Sequence, residues 1–140
     1  MARGASSSSE HRHVVIVVDD DVNIRRLFAD GLRAVGVEVQ AASSGEEAIR
    51  AAESNADACV MLADVRMPQM DGWDLERALR RTSPDLPVVL LSADRLLSIR
   101  GSVRDKPVSP ADIEALVRTN CRLRRSERSG QAAEQDQASG

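Results

Sequence analysis

The stretch that decides the fold is Leu62-Ala63-Asp64-Val65-Arg66-Met67-Pro68-Gln69-Met70-Asp71-Gly72. The apolar residues 58–63 predict a buried strand that ends at the carboxylate of Asp64. Pro68 then restricts the backbone, Gly72 permits angles that other residues resist, and Asp71 can cap a following helix. This pattern predicts that Asp64 is presented at the carboxyl end of a strand, where open parallel sheets bind ligands. Taken alone, Asp64 fits a residue that only caps a turn equally well.

Strands and helices alternate along the rest of the sequence. We predict strands at residues 14–18, 37–41, 58–63 and 87–91, and helices at 24–35, 45–55, 73–81 and from 109 onward. The first, third and fourth strands are continuous apolar runs, which is typical of strands covered on both faces of a parallel sheet. The alternation therefore predicts an α/β fold with a mainly parallel sheet and right-handed crossovers.

Length and composition narrow the class of protein. A chain of 140 residues fits one domain, which we place at 14–125, between a disordered leader at 1–13 and a disordered tail at 126–140. The net charge of −3 favours neither a nucleic-acid partner nor a membrane surface, and no stretch is apolar enough for a signal peptide or a membrane span. Cys59 and Cys121 lack paired spacing, which predicts reduced thiols in a cytoplasmic protein.

Polar residues stand where the predicted strands end. Asp19 and Asp20 follow the first strand, Asp64 the third and Ser92 the fourth, while Lys106 lies before the last helix. Two carboxylates ~5 Å apart repel each other by roughly 3 kcal/mol at an effective dielectric near 20. Such a cluster requires a divalent cation or a raised pKa, and oxygen-only ligands suit Mg²⁺. The set predicts a site for a transferring phosphoryl group, with Asp64 as the nucleophile.

Four short segments in this order resemble the receiver domain of response regulators in two-component signalling, over about residues 14–118. The segments are Val17-Val18-Asp19-Asp20, then Asp64 with Met67-Pro68 and Asp71-Gly72, then Leu91-Ser92-Ala93, and finally Lys106-Pro107. The resemblance implies a doubly wound, five-stranded parallel sheet of the flavodoxin-like type. It also implies a stand-alone signalling protein in a phosphorelay, which acts by protein–protein contact on an unknown downstream partner and is not an enzyme beyond possible self-dephosphorylation.

The resemblance also assigns roles to individual residues. Asp64 is implied to accept a phosphoryl group from a histidine kinase or a phosphotransfer protein. The implied Mg²⁺ ligands are the carboxylates of Asp19, Asp20 and Asp64 and the backbone carbonyl of Arg66. Ser92 is implied to contact the phosphoryl group and Lys106 to form an ion pair with it. Asp21 is assigned to the start of the first helix and not to the metal.

The sequence departs from the family pattern near its end. Only 13 residues, 93 to 105, separate Ser92 from Lys106, which is too few for a full helix and a strand with their loops. We therefore expect a truncated fourth helix. The fifth strand, residues 103–105, carries two charges, and Val103 stands where the family often has an aromatic switch residue. The usual output surface of the family is thus expected to be remodelled.

Two alternatives remain open at this point. The chain could be a degenerate receiver that binds partners independently of phosphate. It could also be a haloacid-dehalogenase-like phosphatase, which would carry phosphate on Asp19 instead of Asp64. That class needs a later acidic pair for Mg²⁺, and here only Asp112 and Glu114 follow the lysine, inside a predicted helix.

Overall fold

The computed structural model describes residues 14–93, 103–107 and 109–121. These ranges contain five strands and four helices, which alternate as far as the fourth strand. They are β1 (Val14–Val18), α1 (Val22–Ala34), β2 (Glu38–Ala42), α2 (Gly45–Ser54), β3 (Val60–Asp64), α3 (Gly72–Thr82), β4 (Val88–Ser92), β5 (Val103–Asp105) and α4 (Pro110–Asn120).

All five strands are parallel and form one sheet in the order β2-β1-β3-β4-β5. The predicted five-stranded, doubly wound parallel sheet is confirmed. The chain leaves β1 toward one edge to form β2 and then returns to the other side of β1 to form β3. This reversal places the ligand-binding crevice of the fold at the carboxyl ends of β1 and β3. Asp64 is the last residue of β3 and pairs with Leu91 of β4.

The core consists of two apolar layers, one on each face of the sheet. Residues of β1 alternate between the layers: Ile16 packs with α2 and α3, whereas Val17 packs with α1 and α4. Every residue of β1 and β3 is buried, which explains why their sequences are continuously apolar instead of alternating. The core is aliphatic apart from Phe28 in one layer and the half-buried Trp73 against the other.

Side-chain caps fix where the helices begin. Asp21, Ser44, Asp71 and Ser109 each accept a hydrogen bond from a backbone N–H of the first turn. The assignment of Asp21 to the start of the first helix is confirmed.

Ser44 and Glu47 at the start of α2 have the spacing of a capping box but do not form a reciprocal one: the Ser44 hydroxyl accepts from the Glu47 N–H, without the return bond to the Ser44 N–H. The carboxylate of Glu47 accepts from the N–H and the hydroxyl of Ser43, one residue earlier than a reciprocal box requires. Asp71 and Asp74 form the complete box instead, at the start of α3.

Gly72, in the turn after β3, is required for a different reason from the one predicted, which was an unusual backbone angle. Gly72 does not have a positive φ angle, but a Cβ atom there would lie 2.9 Å from the carbonyl oxygen of Asp64 and 2.9 Å from the Cα of Val65. Glycine is required because the start of α3 packs directly on the end of β3. The positive φ angle, 70°, belongs to Gln69, and the Met70 N–H donates to the Pro68 carbonyl across it, which forms a γ-turn.

The departures from the family pattern lie in a region that the structure describes only in part. Residues 94–102, where the sequence predicts a truncated helix between β4 and β5, are outside the described residues. Residues 1–13 and 126–140 are outside them as well. Strand β5 does form beside β4, with Val103 buried and both charged residues exposed. Within the described ranges, none of the helices combines the length and apolarity that crossing a membrane requires.

Substitution of Gly72 tests the close contact between β3 and α3. We expect Gly72→Ala to lower the free energy of unfolding by roughly 2 kcal/mol, because the added Cβ meets backbone atoms that cannot move aside. The matched control is Gly31→Ala inside α1, where the nearest atom to an added Cβ lies 3.6 Å away. That variant should be stabilised by about 0.5–1 kcal/mol. Urea unfolding of both variants measures the difference, and equal stabilities would contradict the account.

Candidate functional site

Three carboxylates meet at the carboxyl ends of β1 and β3. Asp19 and Asp20 follow β1, Asp64 ends β3, and one carboxylate oxygen of each lies within 4.8 Å of the other two. Asp19 is 3% exposed and Asp64 is 9% exposed, whereas Asp20 is open to solvent. The structure therefore brings together the three acidic residues that the sequence suggested, with two of them largely removed from water.

Lys106 supplies the one ammonium group of this cluster, and it is the only lysine in the sequence. Its Nζ lies 2.8 Å from Oδ2 of Asp19 and 3.6 Å from Oδ1 of Asp64. The N–H of Lys106 donates to the carbonyl of Ser92 at 2.9 Å, which ties the residue after β5 to the end of β4. The edge formed by β1, β3, β4 and β5 thus holds the lysine over the carboxylates.

Asp19 and Asp64 are held in different ways. Both carboxylate oxygens of Asp19 accept hydrogen bonds, Oδ1 from the N–H of Asp21 at 2.9 Å and Oδ2 from Lys106. Oδ1 of Asp64 accepts a long hydrogen bond of 3.4 Å from the N–H of Arg66. Within the described ranges, no protein donor reaches Oδ2 of Asp64. Asp64 therefore retains an oxygen that is available to a ligand or a reactant.

The two remaining predicted site residues lie beside Asp64. Ser92 is buried at the end of β4, directly after Leu91, the residue that pairs with Asp64. The side chain of Arg66 is exposed, two residues beyond Asp64. The contact seen between Arg66 and Asp64 is made by the Arg66 N–H, so the role of its carbonyl as a metal ligand stays a prediction, as does the role of the Ser92 hydroxyl.

The electrostatics of the site reflect an excess of negative charge. Burial raises the pKa of the Asp64 carboxyl, and the charge of Asp19 raises it further, while Lys106 acts in the opposite direction. For Lys106 the largest single influence, burial, lowers the pKa, but the hydrogen bond and charge of Asp19 together with the charge of Asp64 outweigh it and raise the pKa. Lys106 is therefore protonated at neutral pH.

This donor set fits a divalent cation. Three carboxylates face one ammonium group, so the site has an excess of negative charge, and the acidic residues that could bind a metal offer only oxygen atoms. Oxygen-only sites with few protein ligands are typical of Mg²⁺, which keeps several of its waters. The raised pKa of Asp64 indicates that the protein alone does not compensate its charge.

Arg25 belongs to the site although the sequence analysis missed it. Its Nη1 donates to the backbone carbonyl of Asp19 at 2.8 Å. The one feature of the sequence that could have pointed to Arg25 is its position, six residues after Asp19 and early in the helix that follows the acidic pair.

Met70 was likewise predicted only as part of a turn, but its side chain packs against Gly45, where a Cβ would lie within 3 Å of it. This contact ties the loop after Asp64 to the start of α2.

Comparison with known proteins shows which family this chain belongs to. The family model of the response regulator receiver domain matches residues 15–117. The chain belongs to this family. The resemblance predicted from the four sequence segments is confirmed, and receiver domains are in general signalling modules. Membership favours this class over the haloacid-dehalogenase-like alternative.

Individual relatives agree with the family assignment. The probable transcriptional regulator ycf27 of Cyanophora paradoxa is 37% identical over 121 residues, which are 81% of this chain and 49% of that protein. The receiver domain thus spans about half the length of the curated relatives that it matches. Among solved structures, chemotaxis protein CheY4 of Vibrio cholerae has a TM-score of 0.68 at 26% identity and covers 78% of this chain and 98% of its own. Response regulator TrrA of Thermotoga maritima, solved in complex with Mg²⁺-BeF, has the same TM-score and identity, covering 76% and 97%.

The charge on Asp64 is expected to destabilise the metal-free receiver. Because the pKa of Asp64 is raised in the folded state, the ionised side chain favours unfolding at any pH above its usual value of 3.8. Asp64→Asn should therefore increase the free energy of unfolding at pH 7 by on the order of 1 kcal/mol in EDTA. The gain should disappear as the pH falls below 3.8, where the wild-type carboxyl is protonated in both states. Denaturant unfolding across this pH range measures it, with the exposed Asp57→Asn as the control.

Loss of Lys106 should have the opposite effect. Lys106→Met removes the cation from two largely buried carboxylates and is expected to lower the free energy of unfolding in EDTA by roughly 2 kcal/mol. Adding Asp64→Asn to this variant should recover part of the loss, because one unpaired charge is then removed. Strictly additive effects in this double-mutant cycle would show that Lys106 and Asp64 do not interact.

Proposed function

We propose that this receiver domain accepts a phosphoryl group on Asp64 from the phosphohistidine of a histidine kinase or phosphotransfer protein, with Mg²⁺ as the required ion. The observation that carries the proposal is the position of Asp64 at the end of β3. It lies within 4.8 Å of the Asp19 and Asp20 carboxylates and 3.6 Å from the ammonium group of Lys106. The likeness to TrrA, which was solved with Mg²⁺-BeF, supports the same ion here.

Among the three carboxylates, Asp64 is the best nucleophile. Both oxygens of Asp19 are engaged by donors, and Asp20 lies in solvent at the rim of the site. Asp64 has an oxygen that no described protein donor reaches, and it is largely shielded from water. Its charge is poorly stabilised, as the raised pKa indicates, and such a carboxylate loses little when it forms a bond to phosphorus.

The transfer exchanges one bond to phosphorus for another. Oδ2 of Asp64 forms the new P–O bond while the P–N bond of the phosphohistidine breaks, and the electron pair of that bond returns to the imidazole nitrogen. Lys106, already 3.6 Å from Asp64, stays close enough to pair with the oxygens of the transferred group. The Ser92 hydroxyl at the end of β4 is proposed as a further donor to those oxygens.

The metal ligands are assigned as part of the same proposal. Mg²⁺, when bound, would neutralise the charge of the phosphoryl oxygens during transfer. The carboxylates of Asp19, Asp20 and Asp64 would hold it, together with the backbone carbonyl of Arg66. Asp19 cannot move freely toward a ligand because Lys106 and Asp21 fix its carboxylate, whereas Asp20 is free to adjust in solvent.

The output and setting of the domain are also proposals. We infer a phosphorelay role in the cytoplasm in which the signal passes by contact with a downstream protein, and in which water slowly hydrolyses the phosphoaspartate. Cys59 and Cys121 are both buried thiols, which agrees with this setting. Because the matched relatives are named transcriptional regulators, stand-alone action without nucleic acid remains a prediction.

Intact mass spectrometry after incubation with acetyl phosphate and Mg²⁺ tests the phosphoryl acceptor. We expect one phosphoryl group on the wild type and on the exposed control Asp57→Asn, and none on Asp64→Asn. Replacing Mg²⁺ by EDTA should abolish the adduct on every variant, because the carboxylates then carry no compensating cation.

Two outcomes would contradict the proposal. An adduct that persists in Asp64→Asn but disappears in Asp19→Asn would indicate the phosphatase-like chemistry. No adduct from acetyl phosphate or from a phosphorylated histidine kinase would indicate a degenerate receiver that binds its partners without phosphate.

A further inference from the structure

Arg25 makes a contact at the site that involves neither an acidic side chain nor the reactive residue. It lies in the first turns of α1, half-buried, and its Nη1 donates to the carbonyl oxygen of Asp19 at 2.8 Å. That carbonyl belongs to the peptide bond that joins Asp19 to Asp20. The arginine therefore fixes the plane of the peptide from which the Asp20 side chain extends.

The other anchors of this loop act on Asp19 and Asp21, the two neighbours of Asp20; Asp21 is held as the N-cap of α1. The N–H of Asp19 donates to the carbonyl of Ala42 at 3.2 Å, and the Asp19 carboxylate is held by the Asp21 N–H and by Lys106. Asp20 has no comparable support: within the described residues, its side chain makes no hydrogen bond or ion pair. The direction in which Asp20 points thus depends on its two flanking peptides, of which Arg25 holds one and the bond from the Asp21 N–H to Asp19 holds the other.

The position of the guanidinium group argues for a geometric role. Lys106 contacts the carboxylates of the cluster directly, whereas Arg25 bonds a backbone carbonyl. The Glu47 carboxylate accepts hydrogen bonds from the N–H and hydroxyl of Ser43, which lower its pKa, and the positive charge of Arg25 lowers it further. The guanidinium group of Arg25 therefore acts on the backbone of the acidic loop.

We propose that Arg25 is a positioning residue that holds the Asp19–Asp20 peptide so that the Asp20 carboxylate faces the Mg²⁺ site. The inference rests on the proposed function, since it assumes that the acidic cluster binds Mg²⁺. A ligand that is held in place loses less conformational freedom on binding. Removal of a residue that orients a metal ligand typically lowers metal affinity about 10–100-fold.

Mg²⁺ titration by calorimetry tests this role on the unphosphorylated chain. Arg25→Ala should weaken Mg²⁺ binding about tenfold. Arg26→Ala is the matched control, because it removes the same charge from the next, exposed position of α1 and should change affinity less than twofold. Arg25→Lys keeps the charge and the aliphatic stem but loses the planar fork, so its affinity should lie between those of the wild type and Arg25→Ala. If Arg25→Ala does not fold, the affinity of Arg25→Lys for Mg²⁺ tests the same role.

A second readout separates positioning from a merely structural role. Phosphorylation of Arg25→Ala by acetyl phosphate should be slow at low Mg²⁺ and should recover at saturating Mg²⁺, because Asp64 itself is unchanged. A variant whose melting temperature falls while its Mg²⁺ affinity equals that of Arg26→Ala would overturn the inference. Failure of the wild type to bind Mg²⁺ would overturn the proposed function along with it. If wild type binds Mg²⁺ but is not phosphorylated, the tenfold difference would still support the role of Arg25.

Discussion

The crowding of three carboxylates at the carboxyl ends of β1 and β3 is the constraint on which the rest of the site depends. A parallel sheet brings these ends together, and the reversal of strand order at β1 opens a crevice above them. One ammonium group, that of Lys106, compensates part of the charge and spans from Asp19 to Asp64. The remaining excess of negative charge destabilises the metal-free site and favours the binding of a divalent cation.

Within this cluster, rigidity and availability are divided between residues. Asp19 is fixed through its N–H, its carbonyl and both carboxylate oxygens, so it is the most rigidly held carboxylate of the three. Asp64 is loosely held and retains an oxygen for chemistry, although the backbone beneath it is packed against Gly72. A rigid base with one loosely held carboxylate suits the proposed gain and loss of a phosphoryl group at Asp64, because the fold can stay intact throughout.

Much of this arrangement was predictable because local sequence and fold agree. Residues 14–18 were predicted as a strand since burial on both faces requires an unbroken apolar run, and the helix starts were predicted since Asp71 and Ser109 are good caps. Strand β5 was harder to predict, because its charges are tolerated only at the exposed edge of the sheet. The role of Arg25 could not be predicted, since an arginine on a helix surface usually faces solvent and its bond to the Asp19 carbonyl depends on the path of the chain in three dimensions.

The proposed phosphoryl transfer takes place at a single atom, Oδ2 of Asp64, whereas the described contacts of this carboxylate are made by Oδ1. The most direct test is to phosphorylate the wild-type chain in Mg²⁺, trap the acyl phosphate by borohydride reduction, and locate the modified residue by tandem mass spectrometry of its peptides. We expect the reduced residue to be Asp64, with Asp19 and Asp20 unmodified. Modification at Asp19, or at any residue outside this cluster, would contradict the proposed transfer.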